Sequence, residues 1–241
     1  MMPLAQTSPR AVDVAIESLE RMTLDRLRPG DVLPSEGQLA QTLSVSRLTI
    51  REAVRVLEAR GLLDLRKGRR AVVRAQNGVL AGEYFRIAVR SDPRALFDLL
   101  EVRVALEVHC ATLAAQRASS ATCAPIAQAM QGMLSSSDAA AFHDADVRFH
   151  EAVAAASGNS MLAQLIEGLA EPLRLSRQHS YRGRTNEGRG LEPVIQHHQA
   201  ILDAVMHRDP AAAATAMRRH LRAAEHDLRA SLDPRTPGRR R

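Results

Sequence analysis

The period of the apolar residues constrains this chain more than any other feature. They recur at three- and four-residue steps almost throughout, the mark of helices that bury one face, and a single short stretch breaks the pattern. From Arg10, the positions Val12, Ala15, Ile16, Leu19, Met22 and Leu27 form one helical stripe, which Arg28-Pro29-Gly30-Asp31 ends. Ser35 and Gln38 have the spacing of a capping box, so a second helix is expected from Ser35 to about Leu43. Ser44-Val45-Ser46 is a tight connection, and Ser46 can cap a third helix running to Arg60, with Gly61 as its stop. The period then becomes strand-like. Leu62–Arg66 and Ala71–Arg74 flank Lys67-Gly68-Arg69-Arg70, which predicts a β-hairpin.

Ala75-Gln76-Asn77-Gly78 reads as a linker. Beyond it, residues 79 to 232 are again helix-like and rich in Ala and Leu. Breaks at Ser91-Asp92-Pro93, Ser119-Ser120, Ser135-Ser136-Ser137, Ser157-Gly158-Asn159, a loop around 182–190 and Asp209-Pro210 predict about six helices, with a kink at Pro172. The expected fold is mainly α, with a winged helix-turn-helix over residues 10–76 and an all-α helical bundle over 79–232. Asn159 is expected at a helix junction. Residues 1 to 9 are expected to be disordered and the Pro- and Arg-rich tail from Asp233 to be solvated.

Composition narrows the partners. Aromatic residues are only 2% of the chain and Trp is absent, so there are few rings on which single-stranded nucleic acid could stack. The net charge of +6 favours an anionic partner. Residues 1 to 76 carry 13 basic against 9 acidic side chains, and four arginines fall in the last seven residues, so the helical body itself is slightly acidic. The basic excess therefore sits on the small N-terminal unit and the tail. No apolar run reaches the roughly 20 residues of a membrane span, and the start, MMPLAQTSPR, lacks the apolar stretch of a signal peptide. Cys110 and Cys123 lack CxxC spacing and suit reduced thiols. A cytoplasmic protein with no membrane partner is expected.

Three helices, a short turn and a hairpin make a plan that reads double-stranded DNA. The third helix enters the major groove N-terminus first. Ile50, Ala53, Val54 and Leu57 form its apolar face, while Arg47, Arg51 and Arg55 line a different flank. Arg47 and Arg51 can reach guanine edges or phosphates, and Ser46 and Thr49 offer short hydrogen bonds near the helix start. Lys67, Arg69 and Arg70 at the wing tip suit a minor groove or phosphates. An Arg-laced helix can also be merely solvated; the combined plan of helices, turn and wing favours DNA.

Nine histidines in so aromatic-poor a chain point to a second chemistry. Asp146 and His150 are four apart and share one helix face. His198 lies 11 residues before Asp209 and His220 lies 10 after Pro210, so in an antiparallel hairpin the two stand level. One carboxylate and three imidazoles converging inside a bundle can bind Zn²⁺, Ni²⁺ or a similar divalent ion with positions left open. Histidines at such spacings are also common as surface or capped residues. His143 can join the Asp146 face, and His197 can replace His198, but the two neighbours cannot both point inward. A metal with open positions can also activate water, so a hydrolase is the rival class; a regulator that senses the ion itself is another. No nucleophile elbow, P-loop or dinucleotide motif is present.

The run PGDVLPSEGQLAQTLSVSRLTIREAVRVLEARGLL resembles the DNA-binding domain of the GntR family of bacterial transcription regulators. In that family the positions matching Ser46, Arg47, Thr49, Arg51 and the wing Gly68 bind operator DNA. Two departures stand out: Gly37 follows the Ser-Glu pair where the family often has Arg, and the wing reads Gly68-Arg69-Arg70 where Gly-Arg-Gly is usual. DLLEVRVAL at 98–106, DVRFH, the Ser-Gly-Asn at 157–159, HQAILDAV and MRRHL resemble the all-helical FCD effector domain of the FadR subgroup. That resemblance implies a divalent metal, commonly zinc, on Asp146, His150, His198 and His220. It also implies a small carboxylate effector met by Arg103, whose alternative is an ion pair with Glu107. The whole then reads as a non-enzymatic regulator, a homodimer on a palindromic operator, and a repressor relieved by its ligand.

Overall fold

The computed structural model describes residues 9–66, 69–75, 77–92 and 94–232. The chain divides into two compact units, Met1–Gln76 and Asn77–Arg241.

The first unit is built on α1 (Pro9–Asp25), α2 (Glu36–Leu43) and α3 (Arg47–Ala59), followed by β1 (Leu63–Asp64) and β2 (Val72–Val73). Ser35 and Gln38 form the reciprocal capping box that starts α2. Ser44 takes a left-handed conformation, φ 54°, and turns the chain sharply, so that Ser46 can cap α3 through Thr49 N–H. Ile50, Ala53 and Leu57 are completely buried and pack with Ala15 and Leu19 of α1. The larger of these, Leu19, Ile50 and Leu57, each contribute about 1.5–3 kcal/mol by burial.

The hairpin is shorter than the sequence predicts and has a third partner. β1 and β2 pair antiparallel, Leu63 opposite Val73 and Asp64 opposite Val72. Val32 bridges Val72 on the other side, with backbone bonds Gly30 N–H to Val73 O and Leu33 N–H to Ala71 O, both 2.9 Å. Residues 30–33 read in the sequence only as a helix stop. In the fold they also supply the edge that β2 needs, because a two-residue hairpin has too few backbone bonds to stand alone. Lys67 and Gly68 lie outside the described residues, as does the tail from 233 to 241.

Among its described residues the second unit holds eight helices where the sequence suggests about six: α4 (Val79–Ser91), α5 (Ala95–Arg117), α6 (Ser120–Leu134), α7 (Ala139–Ala156), α8 (Ser160–Gly168), α9 (Ala170–Asn186), α10 (Glu192–Met206) and α11 (Pro210–Leu232). One extra break falls at Gly168. An added Cβ on Gly82 would meet the Gly168 carbonyl oxygen at 1.8 Å, so α4 crosses α8 backbone to backbone and only glycine fits there. Pro172 starts a helix rather than kinking one. It sits in the first turn of α9, where no backbone N–H has a helical partner to lose. The 182–190 break shrinks to the residues between Asn186 and Glu192.

The main core joins α5, α6, α7, α10 and α11 around Phe149, Ile126, Met130 and Met217. A smaller core of Leu96, Leu99, Leu169, Leu173 and Leu228 ties α9 to α5 and α11. Asn159 caps α8 through its side-chain oxygen. Asp209 does the same for α11, accepting from Ala212 N–H at 2.9 Å. No helix among the described residues is long and apolar enough to cross a membrane.

Candidate metal centre

A buried polar strip runs through the middle of the second unit. Asp146 and His150 project from α7, His198 from α10 and His220 from α11; all four are buried, and one ligand atom from each lies within 4.8 Å of the others. His198, rather than His197, is the inward member of its pair, at 0% exposure. Phe149 sets its ring edge-on at 4.8 Å between centroids. His143 is buried on the same α7 face but meets Tyr181, ring to ring at 5.2 Å, and lies outside the four-residue group.

Hydrogen bonds determine where the imidazole lone pairs point. His198 Nδ1 lies 2.8 Å from the Val194 carbonyl, which can only accept, so this nitrogen carries the hydrogen. In the neutral ring Nε2 is then bare, and it faces Asp146 Oδ1 at 2.9 Å. Two acceptors at that distance repel unless a proton or a metal ion lies between them. His150 repeats the arrangement: its Nδ1 meets the Glu107 carboxylate, and its buried Nε2 has no hydrogen-bond partner. A carboxylate behind a histidine that turns the other ring nitrogen inward is the usual support of a metal-ligating imidazole. The donor set therefore fits a divalent ion of the Zn²⁺ or Ni²⁺ kind.

The electrostatics agree. Burial alone raises the Glu107 carboxyl, but Arg103 and His150 outweigh it and hold it well below the usual carboxylate range. Asp146 behaves likewise, held well below the usual carboxylate range by the Arg177 guanidinium beside it. Burial pushes His150 down to about 4 and His220 well below its ordinary value, so both rings stay neutral at pH 7, as metal binding requires.

Beside the four residues lies a cavity of about 50 Å³. Its walls include Arg103 of α5, His143 of α7, Arg177, Tyr181 and Arg184 of α9, and His197 of α10. Arg103 is 1% exposed; its Nε pairs with Glu107 at 2.6 Å, while its Nη2 has no partner. The ion pair with Glu107 is thus formed, and Arg103, which lines the cavity, keeps one guanidinium nitrogen unpaired. Arg177 was missed. It is buried, its Nε contacts Asp146, and neither Nη1 nor Nη2 has a hydrogen-bond partner. Its signal was present in the spacing of Arg177, Ser180, Tyr181 and Arg184, a polar stripe on a helix enclosed by others. Glu107 was considered only as a partner for Arg103, and its contact with His150 depends on tertiary packing.

In the first unit Arg47, Arg51, Arg69 and Arg70 are exposed. Arg47, Arg69 and Arg70 line one cleft with Ser35 and Glu36. Arg51 is held by Glu36 through a two-point pair, Nη2 to Oε2 at 2.9 Å and Nε to Oε1 at 3.3 Å. Thr49 is only 2% exposed, and its hydroxyl lies 2.8 Å from Ser46 Oγ, so it serves the start of α3. Gly37 is where Arg47 lies back: an added Cβ would sit 3.2 Å from its Nη2.

Comparison with known proteins bears on both units. Residues 12–73 match the model described as bacterial regulatory proteins, gntR family, and residues 98–223 match the FCD domain. The galactonate operon transcriptional repressor of Escherichia coli is 33% identical over 197 residues, 77% of this chain and 82% of that protein. The Glc operon transcriptional activator of Escherichia coli is 31% identical over 90% of this chain and 88% of its own length. Among solved structures, a GntR protein of Streptococcus agalactiae superposes with a TM-score of 0.71 at 27% identity, covering 89% of this chain and 99% of that one.

Proposed function

This chain belongs to the gntR family of bacterial regulatory proteins and carries an FCD domain, and from that premise we propose a repressor whose operator affinity is set by a small organic acid bound at a divalent metal. The protein is a DNA-binding transcription regulator, not an enzyme. Asp146, His150, His198 and His220 would hold the ion, zinc being the best match to one carboxylate and three imidazoles. When bound, the ion supplies a positive charge with open positions for a carboxylate oxygen.

One observation carries this reading. His198 Nε2, left bare by the Nδ1 bond to Val194, faces an Asp146 oxygen at 2.9 Å in a buried site. The free Arg103 Nη2 and Arg177 Nη1 and Nη2 favour an anionic ligand over the ion alone as the signal, because buried guanidinium donors without acceptors are costly. On the DNA side, Ser46, Arg47, Arg51 and Arg69 are the proposed operator contacts, joined by Lys67 and Gly68, which lie outside the described residues. A homodimer placing two such units on two half-sites completes the proposal. A ligand controls such a protein only by binding one arrangement of the two DNA-binding units better than another.

Equilibrium dialysis against zinc, with metal analysis, tests the site. One ion per chain is expected for the native protein. His150→Ala and His220→Ala should lose it while keeping helical content. Equal zinc content in all three would refute the assignment.

A further inference from the structure

The metal pocket also carries information about the charge of its ligand. Arg103, Arg177, Arg184, Asp146 and Asp227 line the cavity and Glu107 lies against Arg103 and His150, three buried arginines against three buried carboxylates, while the less buried Arg189 beside Asp227 is matched by Glu187. They cancel. The histidine ligands are neutral when they bind through a lone pair, so a divalent ion leaves two positive charges in a place with little water. An uncompensated buried charge is strongly unfavourable. A monocarboxylate would neutralise one charge and leave the other.

The hydrogen-bonding groups point the same way. Glu107 is engaged by Arg103 and His150, and Asp227 by Arg184 at 3.0 Å and Arg189 at 2.6 Å. Asp146 faces His198 and Arg177, so among the described residues each of these carboxylates already meets a cation or a metal-ligand imidazole. Guanidinium donors, in contrast, are left over: Arg103 Nη2 and both Nη atoms of Arg177 have no hydrogen-bond partner. A polyhydroxy acid would bring hydrogens that find few acceptors. A second carboxylate would bring acceptors to Arg177.

We infer that the effector is a short dicarboxylate, one carboxylate directed to the metal and Arg103, the other to Arg177. This rests on the metal-and-carboxylate reading above. The cavity of about 50 Å³ has room for only a few water-sized groups, at roughly 10–15 Å³ each, which limits the carbon chain between the two ends.

Calorimetric titration of the zinc-loaded full chain with skeleton-matched acids tests the inference: succinate against butyrate, and malate against 2-hydroxybutyrate. Each dicarboxylate should bind about tenfold or more tightly than its partner. Arg177→Met, titrated after metal analysis has confirmed its zinc loading, should cut that ratio of affinities at least threefold, and Arg177→Lys, without the planar fork, should do so as well if the Met variant fails to fold. Equal affinities within each native pair would overturn the dicarboxylate assignment and leave the carboxylate site standing. Bound zinc with no binding of any acid would overturn both.

Discussion

His198 donates through Nδ1 to a carbonyl of its own helix, and that bond decides which of its lone pairs enters the site. Glu107 does the same for His150 from a neighbouring helix. Glu107→Gln keeps the shape but removes the charge that orients His150, and we predict a zinc affinity about 10–100-fold weaker, measured by chelator competition. Unchanged affinity would count against the supporting role. The same residues set a pH dependence. In the chelated protein His150 titrates near 4, below its ordinary value of about 6.5, so between those values the unfolded chain holds a proton that the folded one does not. Stability should therefore fall as the pH drops from about 6.5 towards 4, by at most about 1.4 kcal/mol per pH unit for this group. Urea unfolding of chelated protein across that range checks the sign, and a stability that rises on acidification would contradict it. The four-residue cluster was legible because Asp146 and His150 share a helix face and a Pro-marked turn levels His198 with His220. Arg177 was not, because one arginine in so arginine-rich a chain is conspicuous only once its helix is known to be enclosed.

At the scale of elements, the site depends on close helix crossings. An added Cβ on Gly183 would meet the Asp227 carbonyl oxygen at 1.8 Å, so α9 and α11 touch backbone to backbone beside the Arg184–Asp227 pair. Gly183→Ala must force them apart. We expect a loss of about 1–3 kcal/mol in urea unfolding, and a variant as stable as the native chain would contradict that packing. In the first unit Ser46→Ala removes the acceptor for Thr49 N–H and should cost about 1 kcal/mol, read in the same way. Helix starts were legible where Ser, Asp or Asn caps mark them, as at Ser35, Ser46, Asn159 and Asp209. The break at Gly168 was hidden, since a glycine inside an apolar run signals a turn only when another backbone is known to approach it. The pairing of residues 30–33 with β2 was hidden for a related reason: backbone bonds between distant segments leave little trace in residue type.

For the whole molecule, the account separates two chemistries. In the proposed function, DNA contacts belong to an exposed arginine surface and the switch to a buried site in the other unit. Arg47→Ala should weaken operator binding by about 1–3 kcal/mol in fluorescence anisotropy while leaving zinc content unchanged. A loss of both would mean that the substitution disturbs the whole protein. The division into two units was legible from the change of hydrophobic period and the Ala75–Gly78 linker. The charge proposed for the effector was not, because it depends on which buried acids and bases are already paired.

The most direct test of the central claim is the thermal denaturation of the full chain in four states: chelated, zinc-loaded, with succinate, and with both. A ligand that binds only the folded protein at 100 times its Kd adds about 2.7 kcal/mol of stability. The account predicts that succinate stabilises the zinc-loaded protein and has no effect on the chelated one. An equal gain with and without the metal would place the acid elsewhere and contradict the proposed switch.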